Sequence, residues 1–348
     1  MKYKLFLIAL IVLFSCKKKE QITIPIPVSE LKNGLLVLNE GLFQHNISNL
    51  TWVDLSNNAI NNEFFEQKTG RKLGDTGNDI QKYGNKIYII VNMSGTVEVL
   101  NANDGTSLKQ ISFVENNQNK QPRKISFSEG KAFVSCFDGY VDVIDTTSLK
   151  IIKRIKVGSN PDNILSFNQK IYVSNSGGLN FPELDSTLSV IDPVLLTEIK
   201  KITIGKNPGK IVGINQQLYV LTRGNYSTIP AKIKKVDVSS ENVTELSISD
   251  PLLIEKMEDQ LLVVYSNSNQ VKLGKYSILN SVWENTQWIS LNAFQQLYSL
   301  HYDQKTSKLY LFDAMDYTSS GYLKEYDLNG SFIQEFKCSI IPSELIVF

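Results

Sequence analysis

The sequence predicts an all-β protein: a seven-bladed β-propeller of four-stranded antiparallel blades, closed by its C-terminal strand. Two observations carry this, a repeat and a closure. A short apolar strand recurs as GLLVLNE (34–40), KIYIIVN (86–92), KAFVSCF (131–137), KIYVSNS (170–176), QLYVLTR (217–223), QLLVVYS (260–266) and KLYLFDA (308–314), at steps of 39 to 52 residues. Steps of that size, with several strands in each unit, are the signature of propeller blades. The first copy has no convincing blade strand before it, whereas the last residues, ELIVF (344–348), form a strand with no copy after it. The C-terminal strand is therefore expected to complete the first blade as its innermost member, which protects edges that would otherwise stay open.

The other strands follow from the same units. Each copy leads into a second strand, usually ending in Asp or Asn, such as YVDVID (140–145) and TLSVID (187–192). A third strand comes after a tight turn, as in IIKRIKV (151–157) and EIKKITI (198–204), and another precedes the next copy, as in NILSF (163–167). That last strand has a Pro-x-x-Ile/Leu lead-in at Pro122, Pro161, Pro208, Pro251 and Pro342. Proline fixes φ and suits a turn into a strand. No helical periodicity of any length interrupts this pattern.

The N-terminus reads differently. In MKYKLFLIALIVLFSCKKKE, Lys2 and Lys4 precede an apolar run from Leu5 to Phe14 that is too short to span a bilayer comfortably. Leu13-Phe14-Ser15-Cys16 resembles a bacterial lipobox, so residues 1–15 are expected to be a lipoprotein signal peptide and Cys16 the acylated first residue. Residues 16–33, with a Lys run and then Pro25 and Pro27, read as a lipid-anchored tether, and residues 34–348 as the propeller. Cys136 and Cys338 lie in separate strands with no framework spacing, and are expected to be buried free thiols.

Charge narrows the partners. Lys and Arg number 36 against 35 Asp and Glu; without Lys2 and Lys4 the balance is 34 against 35. A chain so near neutrality is not expected to bind nucleic acid or an anionic membrane surface through its overall field.

The run TTSLKIIKRIKVGSNPDNILSFNQKIYVSNSGG resembles the repeat of YVTN-type bacterial propellers, in which a strand–turn–strand unit ends in VG-x-x-P. NEGLFQHNISNLTWVDL, RKLGDTGNDI and LFDAMDYTSSGYLKEYDLNG further resemble lipoprotein propellers encoded beside nutrient transporters, of the type that binds cobalamin at the cell surface. That resemblance implies an outer-membrane, lipid-anchored protein, with a corrinoid as nutrient and a TonB-dependent transporter as partner.

Counted outward from the innermost strand of an up-and-down blade, the loops between the second and third strands share one rim with the links between blades. Here the long connections are of that kind: 39–49, 174–186, 222–231 and 313–321, joined by the interblade link 67–78. Blades 7, 1 and 2 would present one wall of loops and blades 4 and 5 the other, facing across the channel mouth. Function on a rigid scaffold usually resides in such loops.

The ligand-binding candidates are Phe43, His45, Arg71, Asp75, Asn180, Phe181, Arg223, Tyr226, Asp313, Asp316 and Tyr317. Phe43, Phe181, Tyr226 and Tyr317 could stack on a ring-bearing ligand, and Arg71, Arg223, Asp75 and Asp316 could bond its amides or hydroxyls. The bland alternatives are that the aromatics pack their own loops, that Asp75 and Asp313 fix turns, and that the arginines form ordinary ion pairs. His301, within LYSLHYD, reads as a core histidine.

No HExxH, paired CxxC, phosphate loop or G-x-S-x-G appears, so no catalytic residue, cofactor or metal is assigned and the chain is read as a non-enzyme. Two rival readings remain: a rim that binds a protein or glycan, and a metal-dependent lactone hydrolase using Asp313 and Asp316 with Glu183 and Asp185 across the mouth.

Overall fold

The computed structural model describes residues 29–348 and shows the expected ring. The expected signal peptide, Cys16 and most of the tether lie outside the described residues. Seven four-stranded antiparallel sheets are formed, with a small hairpin of residues 114–115 and 118–119 added between blades 2 and 3. Blade 4 is representative: Pro161–Phe167 lies innermost, followed outward by Lys170–Asn175, Thr187–Asp192 and Thr197–Thr203.

Burial explains why the second strand is the one visible in sequence. Lys170–Asn175 is buried from Ile171 onward, because adjacent blades cover both of its faces. The outer strand Thr197–Thr203 is mostly exposed, and Lys200 and Lys201 sit on that free edge. Lysines on an edge strand discourage pairing with another chain. Seven apolar clusters hold the ring, each joining neighbouring blades; one packs Val141, Val143 and Ile155 of blade 3 against Ile164, Ile171 and Val173 of blade 4.

Closure is as the sequence implies. Pro342–Val347 pairs antiparallel with Gly34–Asn39 and is the innermost strand of blade 1. Gly34 and Phe348 exchange both backbone hydrogen bonds at the end of that ladder.

Each lead-in proline opens its innermost strand beside a register shift. In six of the seven blades, the first amide after the second strand donates to the carbonyl just ahead of the innermost strand, and in blade 6 Ser266, near the end of that strand, does the same to Asp250. The pairs include Asn92 to Thr76, Ser176 to Asn160, Arg223 to Asn207 and Ala314 to Gln296. This clasp ties the rim loops to the channel wall.

One departure from the sequence reading is a six-residue helix, Phe64–Thr69, in the link from blade 1 to blade 2. Its buried Phe64 and Phe65 pack into the apolar cluster between those blades. Six residues are too few for a helical period to show, so the packing of the two phenylalanines, rather than propensity, defines it. Cys136 and Cys338 are both buried free thiols, and burial raises both above the ordinary thiol value.

Candidate binding rim and channel

The two swollen loops of blades 4 and 5 share a construction. Gly177 (φ +64°) and Gly224 (φ +67°) open residues 176–186 and 223–231, and each lies against the returning backbone of its own loop, at Asp185 and Ile229. A side chain there would collide with backbone, so glycine is required by close approach as well as by φ.

These loops leave aromatic side chains in solvent. Phe181 is 64% exposed and Tyr226 72%; on the opposite wall Phe43 is 58% exposed and Tyr317 41%. Tyr226 and Tyr317 sit at positive φ (59° and 65°), a costly conformation for an aromatic residue that the surrounding loop bonds must hold. The Tyr226 hydroxyl accepts from Asn207 Nδ2 at 2.8 Å, and Tyr317 packs edge-on against Tyr298 with centroids 6.0 Å apart. The tyrosines are thus anchored at one point while their rings remain open. Asn180 closes the short 3-10 turn Gly178–Asn180 beside Phe181, and His45 is exposed with Nδ1 2.9 Å from the Phe43 carbonyl.

The acidic candidates are committed to the fold. Asp75 accepts from the amides of Gln44 (3.1 Å) and Asn46 (3.3 Å), which moors the 40–48 loop to the interblade link. Asp313 is buried and accepts from the amides of Gln295, Gln296 and Met315 as well as from Lys324 Nζ at 3.2 Å. Asp316 caps its turn through Thr318 and Ser319, whose bonds hold its carboxyl well below the usual range. Asp185 accepts from Ser159, Ser186 and Thr187 amides. Among the described residues no group of three or more His, Cys, Asp or Glu is arranged to hold a metal ion.

The two arginines part company. Arg71 forms a bidentate pair with Glu98, a fully buried residue on the third strand of blade 2, and lies over the Phe65 ring. It braces the interblade link away from the mouth. Arg223 turns inward to the channel, where its Nη1 meets Asp162 at 2.9 Å. Gly209 makes room for it, since a Cβ there would lie 2.6 Å from the guanidinium.

Sequence reasoning expected a channel but missed its charged lining. Below the mouth, Asp162 also pairs with Arg123 at 3.2 Å, and Arg123 donates to Asn78 Oδ1 at 2.6 Å. Burial alone would raise the Asp162 carboxyl, but Arg223 and Arg123 overcome it and hold the group at about 2. Tyr298 donates to Glu40 at 2.8 Å, and burial still raises Glu40 above the usual carboxylate range.

Deeper, a cavity of about 620 Å³ is lined by a residue from the innermost strand of every blade, including Asp79, Lys124, Lys210, Glu255, His301 and Glu344. Lys124 bridges to Glu344 at 3.0 Å and Lys210 to Glu255 at 3.1 Å. Burial pushes Asp79 up to about 6, while Glu344 is lowered because Lys124 and Lys210 outweigh its own burial. The signal was present: a charged residue stands one or two positions after the lead-in proline in PRKI, PDNI, PGKI and PSEL, where a buried strand would ordinarily be apolar.

Fold and rim together define a seven-bladed propeller with a loop-bearing face. The chain belongs to the family described as a domain of unknown function, DUF5074, which it matches over residues 33–331. A search of curated proteins gave no match.

Among solved structures, it resembles a quinonprotein alcohol dehydrogenase-like protein from Bacteroides thetaiotaomicron (14% identity, TM-score 0.68), covering 91% of this chain and 79% of that one. It also resembles hydrazine synthase from Kuenenia stuttgartiensis (14%, TM-score 0.53; 71% and 74% covered) and BamB from Moraxella catarrhalis (11%, TM-score 0.53; 89% and 84% covered). At such identities the shared property is the propeller fold.

Proposed function

We propose that this protein is a binding propeller that captures a neutral, amphipathic small molecule on its loop-bearing rim, with no catalytic step. The observation that carries this is the set of four exposed aromatic rings, Phe43, Phe181, Tyr226 and Tyr317, raised by four loops on one rim above a polar channel mouth. Aromatic faces around a concavity with a few oriented polar groups suit a large ring-bearing ligand. The leading ligand is cobalamin or a related corrinoid, on the strength of the sequence resemblance. In the same proposal Cys16 anchors the protein at the outer-membrane surface, and the ligand passes to a TonB-dependent transporter through a shared interface.

Calorimetric titration of residues 20–348 with cobalamin and cobinamide tests this. Tight binding that Phe181→Ala and Tyr226→Ala each weaken about tenfold or more is expected. Absence of heat with both corrinoids would overturn the ligand assignment. Binding that both substitutions leave unchanged would overturn the rim as its site.

A further inference from the structure

A second concavity lies on the same rim, between blades 6 and 7. It measures about 650 Å³, the size of a small-molecule site. Its walls come from the start of the inner strand of blade 6 (Leu252), the loop-side end of that blade's third strand (Val271), the link between the two blades (Leu291, Phe294) and the 314–319 loop (Tyr317). Tyr317 therefore belongs both to the aromatic rim and to this hollow. Leu252 and Val271 are about half exposed, so the apolar wall is open to solvent.

The hollow is also preformed. Asp313 holds the Gln295 and Gln296 amides, and Lys324, bonded to both Asp313 and the Ala293 carbonyl, lies 4.2 Å from the centre of the Phe294 ring.

The polar lining has a definite character. It is almost entirely carboxamide: Gln270, Gln287, Asn292, Gln295 and Gln296. Carboxamides both donate and accept, which suits hydroxyls and ring nitrogens. Lys272 is the one charged residue of the lining, half-buried, and it has no ion pair among the described residues. The channel lysines Lys124 and Lys210, by contrast, each hold a carboxylate. An unpaired ammonium beside an apolar wall is complementary to a single anionic group on an otherwise neutral ligand.

We propose that this hollow is a second subsite, which takes a nucleotide-like arm of the ligand: a flat heteroaromatic ring joined through a hydroxyl-bearing sugar to a phosphodiester. The ring lies along Leu252, Val271 and Tyr317, the sugar meets the carboxamides, and the phosphodiester faces Lys272. This rests on the small-molecule reading above and assigns the ligand two parts, a broad plate over the aromatic rim and a narrower arm between blades 6 and 7.

Cobalamin carries such an arm and cobinamide lacks it, so the pair separates the subsites. Val271→Trp, which fills the hollow from an exposed strand position, is expected to weaken cobalamin at least tenfold and cobinamide less than twofold. Lys272→Gln is expected to weaken cobalamin about fivefold and to flatten the salt dependence of its binding. Phe181→Ala is expected to weaken both corrinoids alike. Equal losses for both corrinoids in Val271→Trp, or no loss for either, would overturn the subsite.

If neither corrinoid binds, the ligand assignment of the rim fails by itself. The subsite is then tested with 5,6-dimethylbenzimidazole riboside phosphate, observed by saturation-transfer NMR. A signal that Val271→Trp abolishes supports the subsite, and the absence of any signal with the wild type overturns it. Unchanged circular dichroism and melting of both variants confirm that the fold is kept.

Discussion

The channel and the rim are a few residues apart in every blade, yet they treat polar and aromatic groups in opposite ways. In the channel, charges answer one another: Asp162 lies between Arg123 and Arg223, Lys124 meets Glu344, and Lys210 meets Glu255. On the rim, Phe43, Phe181, Tyr226 and Tyr317 are held by their loops but leave their rings uncovered. Burying a charge without a partner is costly, so the channel pairs are what the fold needs to close a ring of seven inner strands. Exposed aromatic rings add nothing comparable to stability. The difference teaches where to look for function: in groups the fold holds in place without using.

Substitutions can break that contrast, and the largest effect belongs to the channel. Asp162→Ala leaves Arg123 and Arg223 facing each other, and is expected to cost about 3 kcal/mol, read as a fall in the urea midpoint. Asp162 also makes stability sensitive to acid. Its folded-state value, near 2, lies below the ordinary 3.8, so its contribution is complete above about pH 4 and is lost as pH falls toward 2. The wild type and Asp162→Ala should therefore converge in melting temperature between those pH values.

Arg71→Ala comes next. It strips the cationic partner from the buried Glu98 carboxylate, leaving only the Gln110 amide, and a loss of about 2 kcal/mol is expected with ligand affinity unchanged, because the pair lies away from the mouth. A matching loss of affinity would restore Arg71 to the binding surface.

Gly224→Ala tests the rim scaffold. Strain at positive φ and the clash with the Ile229 carbonyl should cost about 1–2 kcal/mol, and the displaced 223–231 loop should lose most of its ligand affinity. A loss of stability with affinity intact would show that this loop is not part of the site.

Asp79→Asn runs the other way. Burial raises the Asp79 carboxyl to about 6, above its ordinary 3.8, so the folded state holds the proton more tightly than the unfolded chain and stability falls as pH rises from about 4 to 6. The amide should be more stable than the wild type at pH 8, with the difference vanishing near pH 4 in thermal melts. Phe181→Ala is the smallest of all for the fold, within about 0.5 kcal/mol, despite its large expected effect on binding.

The fold was legible because its signals are local. The second strand of each blade is buried on both faces, so GLLVLN or KIYIIV stands out against any neighbouring loop, and the orphan strand ELIVF announces the closure. The loops of blades 1, 4, 5 and 7 were legible as length.

What those loops do with their polar residues was less so. Arg71 finds Glu98 across 27 positions and Lys124 finds Glu344 across 220, and no spacing rule connects such partners. Asp313 reads equally well as a ligand or as a clamp until Gln295 and Gln296 are seen on it. The helix Phe64–Thr69 is written in two phenylalanines whose cluster is assembled from blades 1 and 2.

Hydrogen exchange of residues 20–348, followed by mass spectrometry with and without cobalamin, is the most direct test of the central claim. Slower exchange is expected in 40–48, 176–186, 223–231 and 314–319, and at the blade 6–7 hollow in 270–272 and 291–296, with the opposite rim unchanged. Protection confined to the opposite rim, or none at saturating cobalamin, would contradict it.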